Sequence, residues 1–149
     1  MEYDKKMIEG IIREIIREEI SRVKEPVRKL DPSGIISVDP REMDLEEFPF
    51  PVEAKGVTLK DLFSVEESPR LGAGIMELGS GSSLDWTLTY DEIDYVIEGT
   101  LDIIIEGRKM SAGPGEIIFI PKNTSITFST PNKTRFFYVV YPANWSDLV

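Results

Sequence analysis

The sequence predicts an all-β fold, a barrel or sandwich of short strands, with an amphipathic helix at its N-terminus. Three observations lead there. Isoleucines recur at helical spacing over residues 4–24, prolines crowd residues 25–51, and from residue 52 onward short β-rich runs alternate with turn residues.

In the first segment Met7, Ile8, Ile11, Ile12, Ile15, Ile16, Ile20 and Val23 recur at spacings of three and four. Glu9, Arg13, Glu14, Arg17, Glu18 and Arg22 take the other face. Pro26 ends the pattern, because proline lacks the amide that a helix interior needs. An isolated helix of this length is marginal in water. The stripe is therefore expected to bury on its own barrel, on a second copy, or on a partner protein, and the last would make residues 1–24 a docking element. Residues 25–51 read as a charged, proline-rich connector lying partly on the barrel, with one short strand expected at Ile35–Val38. Residues 52–149 read as the β domain. Strands are expected at 57–59, 62–65, 72–78, 84–90, 93–98, 101–106, 108–111, 116–120, 125–129 and 135–141, separated by breakers such as Gly79-Ser80-Gly81-Ser82, Gly99, Gly113-Pro114-Gly115 and Pro131-Asn132. Glu106-Gly107 has the form of a tight hairpin turn. Many short strands at such spacing mean a sandwich or barrel.

Composition removes several function classes. Against 17 basic residues stand 27 acidic ones, a formal charge of −10, so neither nucleic acid nor an anionic membrane surface is an expected partner. There is no cysteine and no histidine. Disulfides, thiolate nucleophiles and zinc–sulfur sites are excluded, and acid–base chemistry falls to Asp, Glu, Lys or Tyr. No apolar run approaches a membrane span, the N-terminus is too charged for a secretory signal, and a cytoplasmic setting fits the missing cysteines.

Two stretches resemble the paired motifs of the cupin superfamily. Glu92 and Gly99 carry the Glu-to-Gly spacing of the first, in Asp91-Glu92-Ile93-Asp94-Tyr95-Val96-Ile97-Glu98-Gly99. Gly115-Glu116-Ile117-Ile118-Phe119-Ile120-Pro121 matches the first half of the second, with Asn123 where a glycine is usual. The resemblance implies a cupin-type jelly-roll β-barrel. It also shows what has been replaced: the histidine positions fall on Trp86, Leu88 and Ile126, so that of four usual ligands only Glu92 remains. One carboxylate does not hold a catalytic transition metal, and none is expected. A narrower likeness lies in Trp86-Thr87-Leu88-Thr89-Tyr90-Asp91-Glu92-Ile93-Asp94, Phe119-Ile120-Pro121 and Tyr141-Pro142-Ala143-Asn144-Trp145, which resemble the ethanolamine-utilisation protein Q (EutQ) family. That resemblance implies a bacterial cytoplasmic homodimer associated with a microcompartment, with acetate kinase activity in some members. Longer members carry a larger N-terminal region, whose function is not carried over.

Pleat alternation puts Trp86, Leu88 and Tyr90 on one face of their strand and Glu92 and Asp94 on one face of the next. If Glu92 points inward, Asp94 follows, with Tyr90 near the mouth. Two desolvated, mutually repelling carboxyls have raised pKa values, which marks both functional pockets and buried structural pairs. Glu92, Asp94 and Tyr90 are the candidate catalytic groups. Trp86, Leu88, Thr89, Asp102, Ile126 and Phe128 are the expected pocket lining. Oxygens of Glu92, Asp94, Tyr90, Thr89 and Asp102 suit a hard cation such as magnesium, which enters with ATP only if the kinase reading holds. Gly79-Ser80-Gly81-Ser82-Ser83 has no lysine and is no phosphate loop, and Arg108, Lys109 and Lys122 read as solvated hairpin charges. The remaining aromatics are mostly core, with a share at a sheet-to-sheet dimer face. Three functions stay open: a small-molecule enzyme acting on acetate and ATP, a non-catalytic assembly factor docking on microcompartment shell or cargo proteins through its helix, and a module that binds a small metabolite.

Overall fold

The structure, a computed structural model, describes residues 4–149, so residues 1–3 of the predicted N-terminal segment lie outside the described residues. Helix α1 (Lys5–Arg22) forms where the isoleucine periodicity predicts it. Asp4 caps it, its carboxylate accepting a hydrogen bond from the Lys6 amide at 3.0 Å. None of its residues is buried, and Ile11, Ile12, Ile15 and Ile16 all remain about half exposed. Of the three burial sites expected for the stripe, the parent domain is thereby removed.

The connector holds more structure than one strand. β1 (Val27–Leu30) and β2 (Ile36–Asp39) pair as an antiparallel hairpin. Its turn is closed by Asp31, whose carboxylate accepts from the Ser33 amide at 2.8 Å, with Gly34 at φ +94° completing the reversal. β3 (Glu46–Glu47) then joins the edge of the main sheet beside β4 (Val57–Asp61). Proline breaks helices and leaves edge pairing available, which the single-strand expectation did not allow for.

The remaining strands are β5 (Gly72–Leu78), β6 (Ser83–Leu88), β7 (Asp91–Gly99), β8 (Leu101–Ile105), β9 (Arg108–Ala112), β10 (Ile117–Ile120), β11 (Thr124–Ser129) and β12 (Thr134–Tyr141), followed by a 3₁₀ turn at Trp145–Leu148. They make a six-stranded sheet in the order β10-β7-β12-β5-β4-β3 and a four-stranded sheet in the order β6-β11-β8-β9. This is a jelly-roll of the cupin type, though the two sheets are not hydrogen-bonded into a closed barrel. Every expected β-domain strand has its counterpart except 62–65. There Ser64 and Glu67 bond reciprocally, amide to carboxylate at 3.0 Å and amide to hydroxyl at 3.2 Å, and fold the backbone into a turn. Glu106 and Gly107, both at positive φ, close the β8–β9 hairpin as the sequence predicts.

The core lies between the sheets. Alternate residues of β12, namely Thr134, Phe136, Tyr138 and Val140, are buried in it, facing Leu84, Leu88, Leu101, Ile103 and Phe128 of the smaller sheet. A smaller cluster of Met43, Leu62 and Ile75 covers the far face of the large sheet near β5. Gly74 is the tightest point. A β-carbon there would sit 2.1 Å from the Tyr138 hydroxyl oxygen and 2.6 Å from the Lys60 carbonyl, so the Tyr138 ring lies where any other residue would put its side chain. Gly74→Ala should therefore destabilise the domain by about 1–3 kcal/mol. Thermal unfolding checks this, and a midpoint equal to that of the parent would count against the packing described.

Candidate functional site

β7 decides what faces the interior. Its register with β12 pairs Asp94 with Tyr138 and Glu92 with Val140, and its pleat sends Glu92, Asp94 and Val96 between the sheets while Ile93, Tyr95 and Ile97 face outward. Asp94 is fully buried and Glu92 nearly so. Tyr90, in the turn before β7, is buried beside them, and its hydroxyl accepts a hydrogen bond from Trp86 Nε1 at 2.7 Å.

The space that Glu92 and Tyr90 border is small. About 20 Å³ is open between Glu92, Tyr90, Trp86, Phe128, Tyr138 and Trp145, room for roughly one water molecule. Aromatic rings close it on one side. Phe48 and Phe50 come from the connector, Trp145 from the terminal turn, and Trp86 from β6. Their ring centres lie 5.1 Å apart for Phe48–Trp86 and Phe50–Trp86, 5.6 Å for Phe50–Trp145, and 5.5 Å for Tyr90–Trp145.

Burial dominates the electrostatics. Desolvation pushes the Glu92 carboxyl up to about 7. Asp94 is held well above the ordinary range, first by burial and then by the charge of Glu92 beside it. Among the described residues the oxygens of Asp94 have no partner but the Glu92 carboxyl beside them, with which Asp94 shares a hydrogen bond when one of the two is protonated. The hydroxyls of Tyr90 and Tyr138 are likewise held above the ordinary phenol value, by burial and then by the neighbouring carboxyls, Glu92 for Tyr90 and Asp61 for Tyr138.

The structure brings together Glu92, Asp94, Tyr90, Trp86 and Phe128 from the expected set. It separates the others. Leu88 is fully buried in core packing, and Ile126, also buried, borders the surface groove over the small sheet. Thr89 opens onto that same groove, its hydroxyl donating to the Leu148 carbonyl at 2.8 Å. Asp102 is the clear correction. Leu101 and Ile103 take the inner positions of β8, so Asp102 faces away from the lumen, accepting from the Ser111 hydroxyl at 2.5 Å with Lys109 Nζ at 3.9 Å. Tyr138 reaches the lumen without having been assigned to it, although its alternation with Phe136 and Val140 is readable. So do Phe48 and Trp145, which lie in segments with no periodic signal. Among the described residues no three His, Cys, Asp or Glu side chains are grouped to hold a metal ion, so the residues present do not fit a resident metal.

Comparison with known proteins places this arrangement. The model of the family described as ethanolamine utilisation protein EutQ matches residues 3–147. A relative from Clostridioides difficile strain 630, named acetate kinase EutQ, is 53% identical over 152 residues, covering 97% of this chain and 95% of the relative. The solved structure of the Clostridium difficile EutQ protein superposes with a TM-score of 0.77 at 51% identity, over 85% of this chain and 93% of that one. A cupin domain of Schizosaccharomyces pombe Cnp3, 11% identical, shares the fold with a TM-score of 0.61 over 84% of this chain and 93% of that one. Among the described residues no helix is long and apolar enough to cross a membrane. The chain belongs to the EutQ family of ethanolamine utilisation proteins, and it has the cupin fold.

Proposed function

We propose that this chain catalyses phosphoryl transfer between ATP and acetate, the activity for which its full-length relative is named, and that acetate binds between the sheets beside Glu92. An acetate oxygen bonds to the γ-phosphorus as the bond from that phosphorus to the β–γ bridging oxygen breaks, giving acetyl phosphate and ADP with no net change in protons. The observation that carries this reading is the pair of buried carboxyls with raised pKa values. Ionised, they would repel a carboxylate. Protonated, Glu92 donates a hydrogen bond to one. The chain's own groups position and desolvate the acceptor, which suits a transfer that needs positioning more than covalent chemistry. Acetate is larger than the open space, so entry requires the rings of Phe48, Phe50 or Trp145 to move aside. These belong to the connector and the terminal turn rather than to either sheet.

A second reading, docking without catalysis on a microcompartment shell, is favoured by the uncovered isoleucines of α1. In both readings the protein works in the cytoplasm and as a homodimer. The dimer contact is the outer face of the large sheet, where Ile93, Tyr95, Ile97, Ile117, Phe119 and Tyr141 stand exposed on adjacent strands β7, β10 and β12.

Glu92→Ala should lower acetyl phosphate formation about a hundredfold or more, the scale for removing one donor at a reacting oxygen, while the protein still folds. Trapping acetyl phosphate as its hydroxamate measures it, and full turnover in that variant would remove the site. A second measurement concerns pH. Because the folded Glu92 holds its proton more tightly than the unfolded one, the stability it contributes is complete below 4.5 and is lost as pH climbs through about 7. Chemical denaturation should show the parent losing on the order of 1–3 kcal/mol relative to Glu92→Gln across that interval, and parallel curves would refute the burial argument. Thirdly, the full chain and a chain beginning at residue 25 should both sediment as dimers, and the full chain alone should co-sediment with shell assemblies. A monomeric shortened chain would assign the dimer contact to the helix instead.

A further inference from the structure

Acetate has a place beside Glu92, but ATP does not. The lumen is far too small, and neither it nor the open groove of about 710 Å³ over the small sheet is lined by a lysine or arginine. The groove carries Asp85 and Glu106 with the hydroxyls of Thr87, Ser125 and Thr127, and these are engaged with one another, Thr127 to Asp85 at 2.6 Å and Thr87 with Ser125 at 2.8 Å. A polyphosphate carrying three or four negative charges meets no counter-charge there.

A third hollow, of about 550 Å³, is different. It lies between the β1–β2 hairpin, the end of β4 and the terminal turn, and is lined by Arg28, Lys60, Asp61, Ser64 and Ser146 among others. Its volume is that of an ordinary small-molecule site. Arg28 uses Nη2 on Glu67 at 2.6 Å, and its Nε, which is buried, has no acceptor among the described residues. A guanidinium carries five N–H donors, so its two terminal nitrogens keep donors beyond the Glu67 bond. Lys60, largely buried, pairs with Glu25 at 2.8 Å and Glu46 at 3.7 Å; both carboxylates are mostly exposed, and Glu25 itself lines the hollow, so a polyphosphate can take its place on the lysine. The hollow also shares a wall with the lumen. Tyr138 lines the lumen and donates its hydroxyl to Asp61 in the hollow at 2.7 Å, while Trp145 lines the lumen and its neighbour Ser146 lines the hollow. The segment Ala143–Ser146 is thus the partition between the two spaces.

We infer that this hollow is the nucleotide site, with the polyphosphate on Arg28 and Lys60 and the hydroxyls of Ser64 and Ser146 beside it, so that displacement of the terminal turn joins it to the acetate space. The inference rests on the phosphoryl-transfer reading for its purpose, and its test is independent of that reading. With the full chain, isothermal titration with magnesium and a non-hydrolysable ATP analogue should show binding that Arg28→Ala and Lys60→Ala each weaken at least about tenfold, the loss expected for one charge-assisted hydrogen bond. Ser146→Asp, which adds a negative charge at an exposed position of the hollow, should weaken it as well. Glu67→Gln breaks the same ion pair as Arg28→Ala but leaves the guanidinium in place, and it should bind the nucleotide as tightly as the parent. Steady-state kinetics should show the same pattern in the KM for ATP, with the KM for acetate unchanged. Undiminished affinity in Arg28→Ala and Lys60→Ala would overturn the assignment. So would an equal loss in Glu67→Gln, which would mean that Arg28 acts only by holding the hairpin. Nucleotide binding with the expected variant pattern but no acetyl phosphate would retain the hollow and discard the kinase reading.

Discussion

The constraint on which everything else turns is the pleat of β7. A strand alternates its side chains, so once Val96 is committed to the core, Asp94 and Glu92 must enter the same space. No lysine, arginine or histidine follows them in. The protein therefore holds two carboxyls away from bulk water, and burial favours their protonated forms. A carboxyl that keeps its proton can donate a hydrogen bond, which a carboxylate cannot. Of the three positions where the cupin motifs carry imidazoles, Trp86 borders the space beside Glu92 as an apolar wall, while Leu88 packs in the core and Ile126 borders the groove over the small sheet.

Closure of the lumen comes from outside the jelly-roll. Phe48 and Phe50 flank Pro49 in the connector, and Trp145 sits in a 3₁₀ turn after the last strand. Phe48 keeps one backbone tie to the large sheet, its amide donating to the Val57 carbonyl of β4 at 3.2 Å, while Phe50 and Trp145 lie outside the strands. The rings also hold one another, and such contacts are individually worth about 0.5–1.5 kcal/mol beyond the area they bury. The rigid part of the site, Glu92, Asp94 and Tyr138, is thus built on ladder-paired strands, while its cover comes from the connector and the terminal turn, where Phe50 and Trp145 lie outside both sheets. Gly74 marks how firmly the rigid part is fixed: the Tyr138 ring fits only because the residue opposite has no side chain.

The sequence made the framework legible because each signal it used is local. Isoleucine spacing located α1, turn residues located the strands, and alternation predicted correctly that Glu92 and Asp94 share a face. Alternation was equally available for Asp102, where Leu101 and Ile103 already claimed the inside, and oxygen chemistry was given more weight there than the pleat allowed. The 62–65 run shows a different limit. Its composition is that of a strand, but the Ser64–Glu67 pair bonds the backbone into a turn before any ladder can form. Phe48, Phe50 and Trp145 could not be assigned to the lumen at all, because their positions depend on where the connector and the terminus come to rest, and no periodicity encodes that.

Separating the two chemical environments resolves a difficulty that the proposed activity creates. Phosphoryl transfer to acetate brings together two anions, and a single pocket that neutralised both would have to place several cations beside the carboxyls, which would lower the very pKa values that suit Glu92 to an acetate partner. In this fold the buried acids lie between the sheets and Arg28 and Lys60 lie beyond the terminal turn, with the Tyr138–Asp61 hydrogen bond crossing the wall between them. On the proposed reading each anion meets the environment it requires until the partition moves, and the two reacting groups approach only after both have left bulk water. Acids fixed on a ladder-paired strand beneath rings carried by the connector and the terminal turn suit that order of events.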